Sequence, residues 1–69
     1  MIKKNLVSII IPVYNEENYI ENCLNSVLQF EKPSGIDFEI IIGDGRSNDK
    51  TVLIIKNFQK VHKNVYLPF

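Results

Sequence analysis

The 69-residue sequence has one cysteine, Cys23, no tryptophan, three glycines and three prolines. A lone cysteine excludes an intrachain disulfide and gives no cysteine-based metal cluster. It also favours a reducing compartment, since small extracellular domains usually carry more. Eight basic and eight acidic side chains cancel, so no net field draws nucleic acid or an anionic membrane. No apolar run approaches the roughly 20 residues that cross a bilayer. The run after Met1-Ile2-Lys3-Lys4 is short and leads into Pro-Val-Tyr-Asn-Glu-Glu where a secretion signal would have a small-residue cleavage site, so it reads as part of the fold. The phosphate-cradling patterns GxGxxG and GxxxxGK[ST] are both missing, which removes the main support for a dinucleotide or P-loop reading. There are no internal repeats and no low-complexity segments. A chain this short buries only about 60% of its unfolded surface.

What is present is organised around Leu6 to Glu17. Leu6-Val7-Ser8-Ile9-Ile10-Ile11 is rich in β-branched residues and predicts a strand buried on both faces, as in a parallel sheet. Pro12 has no backbone N–H and should stop the ladder. Asn15 is a good N-cap, Glu16 and Glu17 suit the positive end of a helix dipole, and Asn18 with Glu21 offers an overlapping start. Ile20, Cys23, Leu24, Val27 and Leu28 form one apolar helix face, which makes Cys23 a small core residue. The helix should fade near Phe30 at the loop signal Lys32-Pro33-Ser34-Gly35.

Phe38-Glu39-Ile40-Ile41-Ile42 predicts a second strand, completing a β-α-β unit. Two glycines flank Asp44, so the turn there can be tight and can approach a ligand. Ser47, Asn48 and Asp49 can each cap a following helix, with Thr51, Ile54, Ile55, Phe58 and Val61 as its apolar stripe. Val52 to Ile55 also suits a strand. Asn64-Val65-Tyr66-Leu67 looks like the start of a third strand, cut short at Phe69. The expected class is α/β, ordered β-α-β-α-β with a parallel sheet.

Adjacent parallel strands set their carboxyl-end turns side by side, where open α/β sheets bind ligands. Pro12 to Glu16 and Asp44 to Arg46 should then line one crevice. The Asp44 carboxylate accepts hydrogen bonds and suits a ligand edge presenting an N–H, as uracil's imide does. Tyr14 offers a face for stacking on a base. The competing reading makes Asp44 a turn residue that satisfies local backbone N–H groups.

VSIIIPVYNEENYIENCLNSVLQF followed by FEIIIGDGRSNDKT resembles the amino-terminal segment of family 2 glycosyltransferases, in which a strand ends in P-x-Y-N-E and the next in D-[DG]-x-S-x-D-x-T. The resemblance runs from about Leu6 to Thr51. It implies a Rossmann-like GT-A fold that binds a nucleotide-sugar donor, with residues 1–69 as the amino-terminal, truncated part of the domain. It implies that Pro12, Tyr14 and Glu16 surround the nucleoside and that Asp44 bonds the uracil of a UDP-sugar. Gly45 stands where many relatives carry a second acid, so that position's role does not carry over. Arg46 replaces a frequent glycine. Asp49 and Thr51 match family positions and read as structural.

In the family, a later D-x-D motif holds Mg²⁺ or Mn²⁺ against the donor diphosphate, and a later acid acts as base. This chain has no D-x-D and no acidic residue after Asp49, so no catalytic residue or metal ligand is assigned to it. The expectation is the donor-nucleoside-binding part of a glycosyltransferase, inactive alone and involved in polysaccharide biosynthesis. Its partners would be a nucleotide-sugar and a sugar or lipid-linked acceptor. It would be cytoplasmic, the complete protein acting at the inner face of the membrane. With only two helices and a cut third strand, some apolar surface should stay open, and marginal folding or self-association through the exposed sheet edge is expected. Two alternatives stand beside this: a non-catalytic nucleotide-binding or assembly module that kept the donor pocket, and an unrelated flavodoxin-like α/β module in which Asp44 and Tyr14 are only turn residues.

Overall fold

A computed structural model describes residues 5–30 and 33–68. The elements run β1 (Asn5–Val13), α1 (Ile20–Leu28), β2 (Ile36–Asp44), α2 (Thr51–Val61) and β3 (Val65–Tyr66). The sheet has the order β1-β2-β3 and is parallel throughout. β1 and β2 pair over their full lengths, from Asn5 opposite Ile36 to Val13 opposite Asp44. This is the β-α-β-α-β architecture that the alternation of apolar runs and helical stripes predicts. The segment Val52 to Ile55 is helical.

The core lies on one face of the sheet. Val13 of β1, Ile40 and Ile42 of β2 and Val65 of β3 are buried against Ile20 and Leu24 of α1 and Ile55 of α2. Because side chains alternate along a strand, the intervening positions face the other way, and Leu6, Ile10 (72% exposed) and Tyr66 are open to solvent. The apolar pattern predicts β1 buried on both faces; the structure covers only one. Both helices pack on the same side, so among the described residues nothing lies on the other. That open face is partly polar, with the Ser8 hydroxyl donating to Glu39 at 2.5 Å.

Three further expectations change. Pro12 does not stop the ladder: it sits opposite Gly43, and the strand runs on to Val13. β1 is the edge strand, and an edge position can spare the N–H that proline lacks. Cys23 is exposed rather than part of the core, because α1 packs through Ile20 and Leu24, and Cys23 lines a surface hollow with Ile11, Pro12 and Val13. Val61 is 75% exposed, since α2 ends there and the chain turns away through His62 to Asn64. The loop predicted at residues 32–35 is seen from Pro33 onward, with Gly35 at φ 82°; Lys32 and Phe69 lie outside the described residues.

Candidate functional site

The chain leaves β1 at Val13 and β2 at Asp44, paired positions in register. The two following turns, residues 14–19 and 45–50, are therefore neighbours, and a ladder of hydrogen bonds ties them together. Gly45 N–H donates to the Val13 carbonyl at 2.8 Å, extending the sheet by one step. Asn15 N–H donates to Ser47 Oγ at 2.8 Å, and Asn15 Oδ1 accepts from Asn48 N–H at 2.9 Å. Glu16 N–H donates to Thr51 Oγ1 at 2.8 Å, and Glu17 N–H to Asp49 Oδ2 at 3.2 Å. Lys50 N–H returns a bond to Glu17 Oε2 at 3.2 Å.

This cross-linking explains why α1 begins later than its capping signals predict. Asn15 is not an N-cap: it has φ 48°, and its side chain is committed to Asn48 in the other turn. The Glu16 carbonyl instead accepts from Tyr19 and Ile20 N–H, at 2.9 and 2.8 Å, and the helix proper starts at Ile20. The start of α2 follows the sequence more closely. Asp49 Oδ1 accepts from both the N–H of Thr51, at 2.9 Å, and its hydroxyl, at 2.5 Å. Thr51 is fully buried, and its hydroxyl donates a hydrogen bond to Asp49 while accepting one from the Glu16 N–H. Asp49 and Thr51 thus have the structural role read for them. Partial burial pushes the Asp49 carboxyl upward, but hydrogen bonds from Thr51, Glu17 and its own N–H outweigh it and hold the group below its ordinary value of 3.8.

The left-handed backbone positions in the turns fall on non-glycine residues, Asn15 at φ 48° and Arg46 at φ 66°. The glycines beside Asp44 serve other ends. Gly43 is an ordinary strand residue opposite Pro12. Gly45 lies under Tyr14: a Cβ there would meet Tyr14 Cβ and Cδ1 at 3.7 Å and the Val13 carbonyl at 3.4 Å. Arg46 instead takes the conformation that glycine adopts freely, at a cost of about 1–2 kcal/mol.

Of the four sequence-predicted site residues, Pro12 and Glu16 line one shallow hollow of about 220 Å³ with Ile11, Val13, Tyr19, Ile20 and Cys23. Tyr14 and Asp44 do not line it; Tyr14 packs over Gly45, and Asp44 precedes Gly45 in the chain. Tyr14 is 57% exposed. The half-buried Asp44 carboxylate accepts from Ser47 twice, the N–H at 3.0 Å on Oδ2 and the hydroxyl at 2.5 Å on Oδ1. Each carboxylate oxygen has a second lone pair, so both can still accept from a ligand. What residue-by-residue reading missed is the pairing of Asn15 with Ser47 and Asn48 and of Glu17 with Asp49 and Lys50. Capping residues were legible in both turns; that they cap across to each other follows only from the strand register.

The Glycosyl transferase family 2 model matches residues 8–67, nearly the whole of the described chain. The chain belongs to this family. Among curated relatives, it is 48% identical over 58 residues to a dolichyl N-acetyl-alpha-D-glucosaminyl phosphate 3-beta-D-2,3-diacetamido-2,3-dideoxy-beta-D-glucuronosyltransferase of Methanococcus voltae, covering 84% of this chain and 18% of that protein. It is 41% identical over 59 residues to a poly(ribitol-phosphate) beta-glucosyltransferase of Bacillus spizizenii, covering 86% of this chain and 9% of the relative. It is 39% identical over 59 residues to glycosyltransferase AglE of Haloferax volcanii, covering 86% and 19%. The chain therefore spans less than a fifth of the length of each of these relatives. No solved structure matches it. The three-stranded parallel sheet with its two helices is a Rossmann-like GT-A fragment.

Among the described residues there is no group of three or more His, Cys, Asp or Glu side chains placed to hold a metal ion. The residues present do not fit the divalent cation that the family implies, and no step through a metal is derived from them. No described helix is long and apolar enough to cross a membrane.

Proposed function

We propose that this chain is the donor-nucleoside-binding part of a nucleotide-sugar-dependent glycosyltransferase, with UDP-sugar as donor and a sugar or lipid-linked acceptor. The observation that carries this reading is the cross-linked pair of turns at the carboxyl ends of β1 and β2, the place where open parallel sheets bind ligands. Hydrogen bonds from Asn15, Glu16, Glu17 and Asn48 make that ledge rigid, as a preorganised binding surface needs. In this reading Tyr14 stacks on the base, Asp44 accepts the imide N–H, and Pro12 and Glu16 border the nucleoside. The Mg²⁺ or Mn²⁺ that would neutralise the leaving diphosphate, and the base that activates the acceptor, come from outside these 69 residues. The chain alone then transfers no sugar. The open sheet face, with Leu6, Ile10 and Tyr66 exposed, supports self-association of the isolated chain.

One observation favours a second reading. Both Asp44 oxygens already accept from Ser47, as they would if Asp44 served only to hold its turn. Calorimetric titration of the full-length protein with UDP and with ADP separates the two. The donor-site reading expects UDP to bind and ADP to bind at least about tenfold more weakly, the cost of one unmatched charge-assisted hydrogen bond. Equal affinities, or no binding of either, would overturn it.

A further inference from the structure

Arg46 is the only arginine in the chain. It sits between Gly45 and Ser47 on the ledge, is exposed, and has φ 66°. It makes no hydrogen bond or ion pair among the described residues. The other left-handed residue, Asn15, is repaid locally by its bonds with Ser47 and Asn48. Arg46 receives no such return, and strain without a structural return is the kind that functional sites store. Its charge also stands out. Glu16, Glu17, Asp44 and Asp49 all lie in or beside the two turns, against Arg46 and Lys50. A ledge with that excess of carboxylates repels any phosphate-bearing ligand unless a cation is aimed at it, and arginine's planar fork grips phosphate oxygens two at a time.

We propose that Arg46 is a donor-binding residue that holds the diphosphate of the nucleotide donor; this rests on the nucleotide-binding reading above. Arg46 follows Asp44 by two residues in the same turn and is exposed, so that one turn supplies an acceptor for the base and a donor for the phosphates.

The test is calorimetry on the full-length protein with uridine and with UDP, for the wild type, Arg46→Gly and Arg46→Lys. Glycine suits a positive φ, so Arg46→Gly keeps or raises the melting temperature and a loss of affinity cannot be blamed on unfolding. Arg46→Gly is expected to weaken UDP binding about tenfold or more, the loss of a charge-assisted phosphate contact, and to leave uridine binding unchanged. Arg46→Lys, which keeps the charge and loses the fork, should fall between. Unchanged UDP affinity in Arg46→Gly, or equal losses for uridine and UDP, would overturn this proposal while leaving the nucleotide-binding reading standing. Failure of the wild type to bind either ligand would overturn both.

Discussion

The turn after β1 and the turn after β2 perform the same task, carrying the chain from a strand end into a helix, and each uses one left-handed non-glycine residue. They differ in what that residue receives. Asn15 is bonded through its backbone N–H and its side chain to Ser47 and Asn48, so its conformation is part of the joint between the turns. Arg46 makes no such bond, and its neighbour Ser47 is held by Asp44 instead. The first turn's strain is offset by bonds within the scaffold, whereas no bond among the described residues offsets the second turn's. The sequence separates them only in part: Asn enters the left-handed region more readily than Arg, but which residue is bonded across to the other turn follows only from the strand register.

The joint can be broken most severely at Thr51. Thr51→Val keeps the volume of this fully buried side chain but strands the Glu16 N–H and takes a donor from Asp49. The expected loss is roughly 1–3 kcal/mol of stability, the cost of a buried unsatisfied group, read from urea denaturation of the full-length protein. A change below about 0.5 kcal/mol, the size of an ordinary surface substitution, would mean that water replaces the hydroxyl and that the turns are not joined there.

The two left-handed residues should then respond in opposite directions. Asn15→Ala removes the acceptor for Asn48 N–H, at about 1 kcal/mol, and forces a Cβ residue without a side-chain return into positive φ, at about another 1 kcal/mol. Arg46→Gly relieves the backbone and should stabilise by up to about 1 kcal/mol. Thermal melts of the two variants side by side check the comparison; destabilisation by both would mean that Arg46 is structural after all.

A smaller effect concerns acid. Hydrogen bonds hold the Asp49 carboxyl below its ordinary value of 3.8. A carboxylate depressed in the folded state contributes stability that is present above its unfolded value and lost as pH falls through the folded value. The joint should therefore weaken below about pH 4, near the ordinary aspartate value. Asp49→Asn should flatten the pH dependence of the urea midpoint between about pH 5 and pH 2. An unchanged acid slope in that variant would remove Asp49 from the account.

The order of elements and the parallel sheet were legible because β1 and β2 are runs rich in β-branched residues and each helix carries an apolar stripe at the right spacing. The family motifs were legible at both strand ends. The burial of β1 was not, because a run that is apolar on both faces says nothing about whether cover is at hand. With both helices on one side, Leu6 and Ile10 stay open. Pro12 misled because a missing N–H matters only where a ladder partner faces it, and at the sheet edge none does. Cys23 and Asn15 misled for a shared reason: a helix stripe and a capping residue are local signals, whereas the helix face that meets the sheet and the neighbouring turn that takes the Asn15 side chain are set by tertiary packing.

The central claim is that the Asp44 carboxylate reads the base of a uridine nucleotide at the end of β2. Asp44→Asn in the full-length protein tests it most directly, since the amide keeps the shape, loses the charge and brings donors toward uracil's carbonyls. A hydrogen bond to a charged group contributes roughly 1.5–3 kcal/mol, so calorimetry should show UDP affinity falling about ten- to a hundredfold with the melting temperature held. Unchanged UDP affinity together with a lowered melting temperature would contradict the claim and leave Asp44 as the residue that only holds Ser47 in its turn.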